Sequence, residues 1–268
     1  MKRRIKWTLL LLALLLAVAP FALSQRLRTV EYRVCSDRLS DEATLAVVSD
    51  LHNAAYGPGQ SALVAAIRAA EPDAVLLTGD MADSLEEMDG VLALLEGLGG
   101  EYPVFYVSGN HEYSSGALSE IKAMLREAGA RVLEGERALL PGGVCIAGVD
   151  DPACLTREEW RAQLNACRAE DGGFTVLLSH RPERVEFYQS GFDLVLSGHA
   201  HGGQMRIPGL LNGLWAPNQG WFPKYAGGLY ALDGGEMIVS RGLARGALPR
   251  LFNRPELVIV RLSPDAQV

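Results

Sequence analysis

The chain has 268 residues, 49% of them hydrophobic and 21% charged, which supplies a real core for one large domain or two modest ones. Its net charge is −7, and Lys2, Arg3, Arg4 and Lys6 are the only charges before Arg26, so the body is more acidic than the whole. An acidic body argues against nucleic acid as the main partner, because phosphate backbones need a basic face.

The N-terminal stretch reads as a segment apart. Trp7 to Gln25 is uncharged, with a Leu-rich centre from Leu9 to Leu16. As a helix rising about 1.5 Å per residue it would roughly match a bilayer core. The preceding cations favour an N-terminus left in the cytoplasm. Residues 1–25 are therefore expected to be a membrane anchor, with the body of the chain on the extracytoplasmic side of the cytoplasmic membrane. The rival is a cleaved signal ending at Ala22-Leu23-Ser24, which would release a secreted body. Residues 26–43 read as a linker and first strand region, and 44–268 as one domain.

From residue 44 the chain alternates apolar runs with helix-like segments. A strand over 45–49 precedes a helix near 60–70. A strand over 74–78 precedes a helix near 84–97, with Ser84 as its cap. A strand over 104–108 precedes a helix near 117–128, followed by Gly129 in the C′ position. Strands near 131–133 and 144–148, a helix near 156–168, and strands over 174–179 and 193–197 continue the rhythm. The tail changes to a hairpin over 227–240, turning at Asp233-Gly234-Gly235, and a closing strand over 257–262. The pattern predicts an α/β fold: a four-layer αββα sandwich of two mixed sheets, the first mostly parallel, with helices outside.

Residues 205–226 hold Trp215, Trp221, Phe222 and Tyr225 among three prolines. They read either as a loop packed over the sheets or as an aromatic rim for an apolar or lipid substrate. Cys35, Cys145, Cys154 and Cys167 show no CxxC spacing, so they read as small buried residues, with a disulfide left open.

The chemistry gathers where apolar runs end. All five histidines sit just past such runs: His52, His111, His180, and His199 with His201. Asp50, Asp80, Asp83, Asn110 and Glu112 accompany them. In open α/β sheets ligands bind at the carboxyl ends of strands. Imidazole and carboxylate mixtures suit zinc, iron or manganese. Seven plausible ligands exceed one mononuclear centre but suffice for two ions if one carboxylate bridges. Two such ions would hold a hydroxide and clamp an attacked phosphoryl group.

In order, Asp50-Leu51-His52, Gly79-Asp80-Met81-Ala82-Asp83, Gly109-Asn110-His111-Glu112, His180 and Gly198-His199-Ala200-His201 resemble the motifs of the calcineurin-like metallophosphoesterases. The resemblance implies a four-layer αββα fold and two divalent or transition metal ions, of which manganese, iron and zinc are the options. Asp50, His52 and His201 would hold one ion. Asn110, His180 and His199 would hold the other, with Asp80 bridging. His111 would face the leaving group, oriented by Asp83, and Glu112 would support the ligands.

Gly198–Pro208, Ala216–Gln219, Tyr225–Tyr230 and Ser240–Leu243 are similar to bacterial membrane-associated phosphoesterases, often grouped with hydrolases of UDP-2,3-diacylglucosamine-type lipids. Ser84-Leu85 follow Asp83 where the protein phosphatases carry Arg-Gly, which disfavours a phosphoprotein substrate. The expected function is a phosphodiesterase acting on a small-molecule or lipid phosphoester. A phosphomonoesterase or nucleotidase is the enzymatic alternative. An inactive binding module would be marked by missing ligands, and none of the seven is missing. Arg206, Lys224 and Arg241 are candidates to neutralise a substrate phosphate. Oligomeric state leaves no mark in the sequence.

Overall fold

In the computed structural model, residues 2–168, 172–189, 191–245 and 250–264 are described. Helix α1 (Lys2–Ala22) comes first, with Pro20 inside it. Ala22 O accepts a hydrogen bond from Phe252 N at 2.6 Å, which ties the end of α1 to the body. Cations occupy its first turns and Pro20 its last, which shortens its apolar middle. Among the described residues no helix is long and apolar enough to cross a membrane, so the anchor expected over residues 1–25 is not found.

The body is built of β1 (Arg28–Ser36), β2 (Ala43–Val48), α2 (Ser61–Arg68), β3 (Ala74–Thr78), α3 (Asp89–Leu98), β4 (Val104–Val107), α4 (Asn110–Ser114), α5 (Leu118–Glu127) and β5 (Ala130–Val132). A second series follows: β6 (Glu136–Leu139), β7 (Cys145–Gly148), α6 (Arg157–Cys167), β8 (Thr175–Leu178), β9 (Leu194–Ser197), β10 (Trp215–Ala216), β11 (Gly220–Trp221), β12 (Gly228–Leu232), β13 (Gly235–Val239) and β14 (Glu256–Pro264). One six-stranded sheet runs β1-β14-β2-β3-β4-β5 and the other β12-β13-β9-β8-β7-β6. Both are mixed. In the first, β14 pairs antiparallel with β2, while β2 through β5 are parallel.

Continuous apolar runs form these strands because both faces of each sheet are covered. In β2, Ala46 and Val48 point to the helices while Leu45 and Val47 point to the other sheet. The same alternation sends Val75 and Leu77 of β3 to one layer and Ala74 and Leu76 to the other. In β9, Leu194 and Leu196 join the inter-sheet core, whereas Val195 packs with Trp160 and Leu164 of α6. Three apolar layers thus separate four layers of backbone, as the sequence predicts.

The helix predicted from residue 84 starts later. Ser84 leads only into a short 3-10 turn and makes no side-chain cap. The first turn of α3 is instead capped from a distant loop, where Asn53 Oδ1 accepts from Gly90 N at 2.6 Å. Gly129 does follow α5 in a left-handed conformation, with φ of 93°. No disulfide joins the four cysteines, and only Cys167 among them is fully buried. Residues 205–226 pack in part over the second sheet, as the covering-loop reading expects: Ala216 is buried and Tyr225 packs on that sheet's outer core, while Trp221 and Phe222 remain about two-thirds exposed, at 68% and 67%.

Candidate metal centre

The strand ends of the two sheets meet in one place. β2 delivers Asp50 and His52, β3 delivers Asp80 and Asp83, and β4 delivers Asn110 and His111. From the second sheet, β8 delivers His180 and β9 delivers His199 and His201. The backbone must turn hard to aim these side chains together. Asp50, His52, Asp80, His199 and His201 all adopt positive φ, between 45° and 64°. Non-glycine residues rarely do so, and each instance costs on the order of 1–3 kcal/mol unless its surroundings enforce it. Glycines make the turns close enough: a Cβ at Gly109 would lie 2.1 Å from Asp80 Oδ1, and one at Gly198 1.9 Å from Ser49 Oγ.

Ligand-type atoms of Asp50, His52, Asp80 and His201 lie within 4.8 Å of one another, and so do those of Asp80, His180 and His199. Asp80 belongs to both groups. Its Oδ2 stands 3.0 Å from His180 Nε2 and 3.8 Å from His52 Nε2. Its Oδ1 is occupied, accepting from His111 N at 2.9 Å. Asp50 accepts from Ser49 Oγ at 2.6 Å and from His199 N at 2.9 Å, with His201 Nε2 3.4 Å away.

Neighbours fix which imidazole nitrogen is free. His180 Nδ1 donates to Thr78 O at 2.8 Å, which leaves the Nε2 lone pair toward Asp80. His52 Nδ1 donates to Asp83 Oδ1 at 2.5 Å, which likewise frees Nε2. His199 Nε2 meets Asn218 Oδ1 at 2.8 Å, and Arg181 Nη1 donates to that same oxygen at 2.9 Å. Arginine only donates, so the Asn218 atom is an acceptor and His199 Nε2 carries the proton. Nδ1 of His199 is then the ligand atom.

The residues fit metal ions. His52 Nε2, His180 Nε2, Asp80 Oδ2 and Asn110 Oδ1 are buried without a hydrogen-bond partner. Buried polar atoms are normally satisfied, and here four converge that can each offer an electron pair once His180 gives up its proton. Charge makes the same demand. Burial opposes a charge on His180, but Asp80 pushes its pKa up to about 10. Burial would raise the Asp80 carboxyl, yet His180, His52 and His111 hold it far below the usual carboxylate range. Burial and His180 push His199 down to about 4, and burial pushes His201 down to about 4. Two imidazoles are thus neutral at pH 7, as metal ligation requires.

His111 lies at the rim, its side chain 44% exposed, and its Nδ1 is 2.8 Å from Asp83 Oδ1. That hydrogen bond raises its pKa to about 8. The same Asp83 oxygen also holds His52, so Asp83 orients two imidazoles rather than the one expected. Glu112 is fully buried and accepts from Gly109 N, Asp80 N and Met81 N. Sequence reasoning did not single out Ser49, Asp151, Arg181 or the contact of Asn218 with His199. Arg181 Nε donates to Asp151 Oδ2 at 2.7 Å, which steadies the guanidinium that pins Asn218. The adjacency of Arg181 to His180 was the one local signal.

The calcineurin-like phosphoesterase family matches residues 43–203. An uncharacterized metallophosphoesterase of Aquifex aeolicus (strain VF5) is 34% identical over 199 residues, 72% of this chain and 73% of its own length. One of Helicobacter pylori (strain J99) is 31% identical over 240 residues, 86% of this chain and 62% of its own length, so this chain spans less than two thirds of that relative. Among solved structures, a dimetal phosphatase from Danio rerio is similar in fold, with a TM-score of 0.50 at 13% identity over 75% of this chain and 88% of that one. With its strand ends converging as the motifs require and residues 43–203, more than half of its length, matched, this chain belongs to the calcineurin-like phosphoesterase family.

Proposed function

We propose that this protein hydrolyses phosphodiesters with two metal ions. The observation that carries the reading is Asp80 Oδ2, unpartnered and shared between the free nitrogens of His180 and His52. Asp50, His52 and His201 would hold one ion, Asn110, His180 and His199 the other, and Asp80 both. When bound, the ions supply electrophilic charge to the phosphoryl group and lower the pKa of water.

The chain's own groups do the rest. Asp83 holds the His111 Nδ1 proton, so Nε2 is the atom presented to the leaving oxygen, which it would protonate as general acid. Arg181 is already engaged by Asp151 and Asn218, which leaves little free cationic charge at this point. A phosphodiester monoanion needs less than a monoester dianion, and this supports the diester reading over a phosphomonoesterase. The exposed Trp215, Trp221 and Phe222 support a lipid-linked diester, of the UDP-diacylglucosamine type suggested by the Gly198–Pro208 and Ser240–Leu243 resemblance.

The test is elemental analysis of the full chain loaded with manganese, iron or zinc, beside rates on lipid, nucleotide and sugar phosphodiesters and matched monoesters. Two ions per chain and faster diester hydrolysis are expected, with Asp80→Ala losing both ions. At most one tightly held ion in folded, metal-saturated protein would sink the dinuclear reading.

The body is further proposed to act outside the cytoplasm, delivered by residues 1–25. Four cations ahead of an uncharged stretch support this, as do the exposed Leu9, Leu10, Leu12 and Leu16 of α1. Protease added to intact protoplasts should digest the body; full protection would overturn the location.

A further inference from the structure

Beyond the metal centre, two arginines stand together without enough negative charge. Arg206 follows the His201 turn, and Arg241 follows β13. Gly242, the next residue, packs so tightly that a Cβ there would lie 2.7 Å from Asp50 Cβ. Both arginine side chains converge on Gly227: a Cβ at that position would lie 3.1 Å from Arg206 Nη1 and 3.3 Å from Arg241 Nε. Those two nitrogens are buried and have no hydrogen-bond acceptor. Unpaired buried donors on charged groups are among the costliest features a fold can carry.

One carboxylate answers the pair. Glu256 is fully buried, with Oε2 at 3.5 Å from Arg241 Nε, and its Oε1 already accepts from Arg241 N at 3.0 Å. Two guanidiniums therefore face one carboxylate. Burial, and then the charge of Arg241, push the Arg206 pKa down to about 10, the sign of a cation lacking a counter-charge. Arg206 lines a cavity of about 330 Å³, walled by the turn 207–211 and Asn212. Ile207 and Leu210 on that turn are exposed, at 46% and 82%.

We infer that Arg206 and Arg241 form a second anion site, which takes a phosphate-type oxyanion whose organic substituent lies along Ile207 and Leu210. Guanidinium forks suit tetrahedral oxyanions because they donate in pairs. The apolar turn beside them would favour an anion that carries a hydrocarbon part. This site does not rest on the hydrolytic reading, since its donors are separate from the ligand set.

The experiment is calorimetric titration of the full-length, metal-loaded protein with inorganic phosphate and, separately, with dihexanoyl phosphatidate. Phosphate held at the metal ions is common to wild type and variants, so the difference reports the arginine pair. In Arg206→Met one oxyanion per chain should be lost, or its affinity should fall about tenfold or more, with metal content unchanged. Gly227→Ala should weaken the same binding, because its methyl group displaces Arg241, and it carries the test if Arg206→Met does not fold. Tighter binding of the phosphatidate would mark the ligand as a lipid headgroup, and tighter binding of inorganic phosphate a free ion; either result supports the site. Identical titrations of both probes in wild type and the variants would overturn it.

Discussion

A single oxygen, Asp83 Oδ1, takes the Nδ1 protons of both His111 and His52. The two rings stand edge to face, 4.6 Å apart between centroids, so one substitution disturbs a proposed acid and a proposed ligand together. A general acid contributes about 10²–10⁴-fold, most where the leaving group needs a proton. His111→Gln should keep its metal ions yet lose far more activity on alkyl phosphodiesters than on p-nitrophenyl ones. Equal losses at full metal occupancy would remove the acid assignment. Asp83→Asn should show that bias more weakly and should also loosen metal binding, about 10–100-fold, because it withdraws the anionic partner of His52. Metal retention measured by competitive chelation separates these effects.

At the scale of an element, α4 is only five residues long, and its position depends on Glu112. The Glu112 carboxylate gathers Gly109 N, Asp80 N and Met81 N at 2.6–3.1 Å, binding the β3 and β4 turns to each other. Burial and then the nearby Asp80 push its pKa up to about 7, so the charged form is held at some cost. Glu112→Gln keeps the shape but turns one acceptor into a donor facing N–H groups. A stability loss of about 2–4 kcal/mol is expected from the orphaned backbone donors. Denaturant titration checks it, and a loss under about 0.5 kcal/mol would show that the clamp contributes little.

Across the whole molecule, ligands from both sheets share the centre, so metal ions would staple the two layers. Saturation at about 1,000 times Kd adds about 4 kcal/mol, or about 10 °C in Tm for a chain of this size. Chelation should remove that increment, and an unchanged Tm would deny the coupling. The pH dependence has a definite sign. His180 is raised to about 10, so in metal-free protein its ion pair with Asp80 stabilises fully below its ordinary 6.5 and is lost as pH rises through about 10. A metal ion needs the neutral ring, so binding releases this proton at pH 7 and affinity falls as pH falls. Calorimetry in buffers of different ionisation enthalpy should show proton release on loading.

The sequence by itself determined where the chemistry would lie. Apolar runs such as Leu45–Val48 and Ala74–Thr78 announce buried strands, and the residues just past them, Asp50, His52 and Asp80, stand at strand ends whatever the sheet order proves to be. Tertiary structure alone decided what those residues meet. Strand β1 is set by its parallel register with β14, more than two hundred positions away. The start of α3 answers to Asn53 rather than to Ser84. The free nitrogens of His180 and His199 are chosen by Thr78 O and Asn218 Oδ1. Periodicity records which face of its own element a residue occupies, because that is a local property of the backbone. A hydrogen bond between a strand end and a distant loop leaves no periodic trace, so it becomes legible only once packing has brought the two together.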